Sequence, residues 1–90
     1  MLKITVQEDE GAQTIKLEGK IVGPWVEEVN RTWSSLVPSL SSKQLHLDLC
    51  GVAFVDAKGR ELLREIYQKA NVRFLADSPL TRYFADDAMQ

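Results

Sequence analysis

The chain is poor in the residues that carry metal, disulfide and nucleophile chemistry. It has one cysteine, Cys50, and one histidine, His46, in 90 residues. A lone cysteine cannot close an intrachain disulfide, and a structural zinc site takes about four Cys or His ligands, so no metal is expected. Basic runs are missing too. Eleven Lys and Arg stand against thirteen Asp and Glu, for a formal net charge of −2. That balance provides no electrostatic footprint for nucleic acid. No apolar run approaches the ~20 residues of a membrane span. The stretch from Met1 to Glu10 has no apolar core of the kind a signal peptide needs. The expectation is a cytoplasmic chain with no membrane insertion.

A catalytic constellation is equally hard to assemble. His46 has no nucleophile at a recognisable spacing and sits beside Asp48 on the polar side of a strand pattern, as a partly exposed or hydrogen-bonded histidine would. Cys50 at a strand end reads as a small buried residue and not as a reactive thiol. The pairs Glu27-Glu28 and Asp86-Asp87 are adjacent in sequence. Neighbours on a helix point about 100° apart, so these are solvated faces and not acid/base dyads. Gly19 and Gly23 precede a helix, a setting suited to anions. Their spacing matches neither the P-loop nor the dinucleotide fingerprint. Neither enzymatic activity nor a cofactor is expected.

What is present is an ordinary globular composition, 44% hydrophobic and 27% charged, which argues against disorder. Residues 1–90 read as one domain. Leu2, Ile4 and Val6 alternate with polar residues, Glu8 to Gly11 turn the chain, and Ile15 and Leu17 alternate again, so the first 22 residues read as a hairpin whose second strand ends at Gly19. Gly23-Pro24 is a helix start. Trp25, Val29, Trp33 and Leu36 then line one helical face, and Pro38 ends the helix near Val37 ahead of a loop at Ser39 to Ser42.

Leu45, Leu47 and Leu49 alternate with Gln44, His46 and Asp48 in the clearest strand. Cys50 to Val55 follows as an apolar connector. Asp56 can cap a second helix, which carries Leu62, Leu63, Ile66, Tyr67 and Ala70 inward, leaves Glu61, Glu65, Arg64 and Gln68 solvated, and stops at Asn71. Val72 to Leu75 is a short strand. Ser78-Pro79 opens a last helix that buries Leu80 and Phe84, with Tyr83 and Ala88. The order is β-β-α-β-α-β-α. The crossovers from residue 44 are right-handed and parallel. Polar alternation in three strands leaves one sheet face wetter. The expectation is an α/β two-layer sandwich of a four-stranded mixed sheet and three helices.

One segment, Leu47-Asp48-Leu49-Cys50-Gly51-Val52-Ala53-Phe54-Val55-Asp56-Ala57-Lys58-Gly59-Arg60, resembles the signature of the STAS family, named for sulfate transporters and anti-sigma factor antagonists. Asp48, Leu49, Gly51, Val52, Phe54, Asp56 and Gly59 match its pattern, and Leu17-Glu18-Gly19-Lys20-Ile21 is similar to the family's second strand and turn. The resemblance implies a bacterial regulatory module that binds a protein partner such as an anti-sigma factor. In regulated members a serine of the Asp-Ser-Ser-Gly run is phosphorylated by the cognate anti-sigma factor kinase. Here Ala57 and Lys58 replace the serines, so no phosphorylation is expected at either position, and lysine has neither the charge nor the acceptor oxygens of phosphoserine.

The docking surface would be the start of the second helix with its neighbouring loops. Asp56 would shape it, Gly59 would leave the helix start open, and Ala57, Lys58 and Arg60 would meet the partner. Gly23 and Trp25, at the start of the first helix, are further candidates, and Trp25 serves either the core or the interface. Two other readings are an anion- or nucleotide-binding sensor held at Lys58 and Arg60 and an accessory subunit of a transport complex. The expected state is a monomer or weak homodimer, since the first strand can lie at a sheet edge.

Overall fold

The structure, a computed structural model, describes residues 1–9, 11–40, 44–70 and 72–90, with backbone only for residues 37–40. The elements are β1 (Leu2–Glu8), β2 (Ala12–Ile21), α1 (Pro24–Leu40), β3 (Gln44–Val55), α2 (Ala57–Ala70), β4 (Arg73–Leu75) and α3 (Pro79–Ala88). Their order is the expected one. The sheet runs β1-β2-β3-β4, with β1 antiparallel to β2 and the other two pairings parallel. The expected ends at Ser41, Ser42 and Asn71 lie outside the described residues.

The alternation of the strands decides where the core lies. Ile15 and Leu17 on β2 and Leu45, Leu47 and Leu49 on β3 are fully buried. Each such side chain stabilises the fold by about 1.5–3 kcal/mol. α1 packs on β2, and α2 and α3 pack on β3, bringing Val29, Trp33, Leu63, Ile66 and Phe84 onto that layer. Thr14, Lys16, Glu18, His46 and Asp48 occupy the opposite face. There Thr14 pairs with His46, and His46 with Arg73. His46 is half-buried, as its strand position implied.

Several boundaries and faces differ from the sequence reading. α1 continues through Pro38 to Leu40. The proline preference against a preceding helical residue is a bias, and a proline in the last turn removes only one helical hydrogen bond. β2 passes Gly19 and ends at Ile21. The supposed connector Cys50 to Val55 is the second half of β3. Pairing runs Lys16 to Asp48, Glu18 to Gly51, Gly19 to Val52 and Lys20 to Phe54. β3 thus inserts an extra residue against β2 twice. The bulges place Val52 and Val55 inward and leave Ala53 and Phe54 exposed, a spacing of three that disguises a strand. Cys50 is exposed, not buried. The Asp48 carboxylate beside it, reinforced by partial desolvation, pushes its thiol up to about 11, so it is protonated at neutral pH despite its exposure.

α3 differs as well. Leu80 and Tyr83 are exposed, and the buried face is Thr81, Phe84, Ala85 and Ala88. The cause is its cap. Thr81 N–H donates to Ser78 Oγ at 3.1 Å and Ser78 N–H donates to Thr81 Oγ1 at 3.0 Å. This reciprocal box turns Thr81 inward with its hydroxyl satisfied. At the other end Arg64 of α2 donates from Nε to Asp87 O at 3.2 Å and from Nη2 to Asp87 Oδ1 at 2.8 Å. Arg64 and Asp87 therefore tie α2 to α3 and are not simply solvated. Arg64→Ala removes a charged donor from a half-buried carboxylate. It is expected to lower stability in urea denaturation by about 1–3 kcal/mol, and Arg64→Lys to restore only part of that.

Candidate functional site

The loop after β3 meets the loop after β2. Val55 pairs with Ile21 at the end of the parallel ladder, and Asp56 N–H donates to Ile21 O at 3.1 Å. This brings the starts of α1 and α2 side by side. Gly23, at the α1 start, has a φ of +54°, a left-handed conformation that favours glycine. Its N–H donates to Asp56 Oδ2 at 3.0 Å. Gly59 N–H, in the first turn of α2, donates to Asp56 Oδ1 at 2.8 Å. One carboxylate thus caps α2 and also holds the start of α1. The Gly23 and Gly59 donors, with Lys58 and Arg60 nearby, keep the Asp56 carboxyl below the usual aspartate range.

The capping role read from the sequence is present, and the bridge to Gly23 is additional. Nothing local announces that bridge, because Gly23 lies 33 residues away in the chain. Gly59 requires a correction. It is buried, and a Cβ there would come within 2.7 Å of Val55 Cγ1 and 2.9 Å of Ile21 O. The absence of a side chain lets α2 approach the sheet end and does not open the helix start to solvent.

Ala57 and Lys58 are exposed and Arg60 is half-buried. Glu61 lies one turn from Lys58, and with Leu62 and Glu65 they line a shallow surface depression of about 340 Å³. Two carboxylates balance the lysine, so the patch is mixed and not simply basic. Gly23 is exposed, and Trp25 is half-buried against the core. Sequence reading missed an apolar feature nearby. Phe54, two residues before Asp56, is 50% exposed and meets the Phe84 ring edge-on at 6.4 Å. Tyr83, 55% exposed, meets Phe84 at 5.5 Å. The bulges in β3 hid Phe54, and the Ser78–Thr81 cap decides the face that exposes Tyr83. Among the described residues, no group of three or more His, Cys, Asp or Glu could hold a metal, and no helix is long and apolar enough to cross a membrane.

Several solved structures share this fold. An anti-sigma factor antagonist from Mycobacterium paratuberculosis superposes with a TM-score of 0.79 at 22% identity, over 92% of this chain and 74% of that one. The anti-sigma factor antagonist SpoIIAA in its unphosphorylated form superposes at 0.69 and 16% identity, over 90% and 79%. The chain has the SpoIIAA-like STAS fold. Mglu matches at 0.68 and 23% identity, over 83% of this chain but 19% of the much longer Mglu chain. The STAS fold therefore also resembles part of a larger protein. No family model matches the sequence, and no curated protein does.

The Asp56 clamp has a pH signature. Its folded carboxyl is depressed, so it stabilises the fold above the ordinary aspartate pKa, and that contribution is lost as pH falls through the folded value. Asp56→Asn should therefore flatten the acid limb of a stability-versus-pH curve below about pH 4. At neutral pH Asp56→Ala should cost about 0.5–2 kcal/mol for the lost cap. Gly59→Ala should cost about 1–3 kcal/mol in thermal or urea unfolding, because backbone of β2 blocks the added methyl.

Proposed function

We propose that this chain is a non-enzymatic protein-interaction module, and that its partner, an anti-sigma factor or another signalling protein, docks at the start of α2. The single observation that supports this is the Asp56 clamp. It holds two helix starts rigidly together and presents Ala57 and Lys58 outward beside it. A pre-ordered surface loses little entropy on binding. Phe54 adds an exposed aromatic next to the clamp, and aromatic residues are favoured anchors of protein interfaces. The SpoIIAA-like fold carries the same reading, since two of the solved proteins that share it are anti-sigma factor antagonists.

Without a hydroxyl at positions 57 and 58, this surface is not switched by phosphate there. Lys58 sets the local charge permanently, and the partner supplies an acidic group to meet it. The anion-sensor reading is weakened at the same place. Gly23 and Gly59, the N–H groups at the two helix starts, already donate to Asp56, and Glu61 and Glu65 flank Lys58.

The test is affinity capture from lysate of the source organism, quantified for the unmodified chain, Lys58→Glu, Phe54→Ser and a remote control, Lys3→Glu. One protein should be retained by the unmodified chain and by the control. It should fall about tenfold or more with Lys58→Glu, as for the loss of a well-placed interfacial charge pair. Equal retention by all four, or by none, overturns the docking surface. Incubation with an anti-sigma factor kinase and ATP should leave residues 57 and 58 unmodified.

A further inference from the structure

β1 is the outermost strand of the sheet. It pairs with β2 without interruption from Leu2 opposite Gly19 to Glu8 opposite Gln13, unlike the twice-bulged β3. Its other edge therefore offers a regular row of backbone donors and acceptors, with no proline or bulge to interrupt it. The far edge of the sheet is different, for β4 has three residues and leads directly into α3.

The side chains on β1 add a second observation. Ile4 and Val6 stand opposite Leu17 and Ile15, so they belong to the helix-bearing face. The helices pack on β2 and β3 and leave this strip incompletely covered. Ile4 is half-buried and Val6 is 45% exposed. The core's apolar layer thus continues past its helical cover to the edge of the sheet. On the open face β1 carries Lys3, Thr5 and Gln7.

We propose that two copies of the chain associate by antiparallel pairing of β1 with β1, making one continuous eight-stranded sheet. A two-fold interface must be self-complementary, and β1 satisfies this with the axis at Thr5. Ile4 of each copy then faces Val6 of the other on the helix side. On the open side Thr5 faces Thr5, and Lys3 faces Gln7 twice. Around the axis apolar residues meet apolar ones and polar residues meet polar ones; at the two ends Leu2, whose side chain already lies in the core, faces Glu8, and no like charges are opposed. Shifting the pairing by one residue would set Ile4 against polar side chains of the wrong face, so the pleat selects the register. The interface is small, which makes the dimer weak and concentration-dependent. It uses none of the residues of the α2 docking surface, so the two proposals stand or fall separately.

Sedimentation equilibrium between about 10 µM and about 1 mM covers the range expected of an interface this small. The apparent mass should rise from 10.2 kDa towards twice that value. Val6→Lys, on a residue already partly exposed, should hold the chain at monomer mass, with unchanged thermal unfolding at low concentration showing that it still folds. The register has its own test. Gln7→Lys opposes Lys3 with a like charge at two symmetric positions and should weaken association roughly two- to thirtyfold, whereas Gln7→Glu should strengthen it by a similar factor. A chain that stays monomeric to about 1 mM overturns the proposal. So does a dimer indifferent to both Val6→Lys and Gln7→Lys.

Discussion

The Asp56 carboxylate is the joint on which this small fold turns. Its two oxygens accept from Gly23 of α1 and Gly59 of α2, while its own N–H donates to Ile21 at the end of β2. Two strand ends and two helix starts therefore share one residue. The Gly23 and Gly59 N–H groups at two helix starts converge on one negative charge, which is why the carboxyl stays ionised so readily. Gly59 completes the joint by exclusion, since any side chain there would press on Val55 and Ile21.

That joint gives the proposed docking surface its character. It offers a shallow surface with Lys58 outward, acidic residues one turn away and an exposed phenylalanine on the adjoining strand. Such a surface suits the proposed docking of a protein partner by shape and charge. The rest of the molecule supports it from behind. The Arg64–Asp87 bridge fastens α3 to α2, and Phe84 backs Phe54 through an edge-on ring contact.

Much of this was legible in the sequence where the signal is local. Strict alternation located β1, the start of β2 and the first half of β3, and Asp56 and Ser78 announced their helices by cap chemistry. The errors fall where a distant neighbour decides the local outcome. The second half of β3 lost its two-residue period because bulges against β2 re-aim its side chains. Cys50 is exposed because it continues the alternation of Leu45, Leu47 and Leu49 onto the open side of β3. Apolarity alone points Leu80 and Tyr83 inward, but the Ser78–Thr81 box commits the opposite side of α3 to the core. Asp87 looked solvated because its partner, Arg64, belongs to another helix.

The sequence alone determined the element order, the apolar and polar sides of the sheet, and the replacement of the usual serines by Ala57 and Lys58. Each of these is written in a period of two to four residues or in a single side chain. Tertiary structure decided that Asp56 holds two helices and not one, that Gly59 serves packing and not access, and that β1 is left as a long uncovered edge. Those outcomes depend on groups as far as 33 residues apart meeting in space, and no local pattern encodes such a distance.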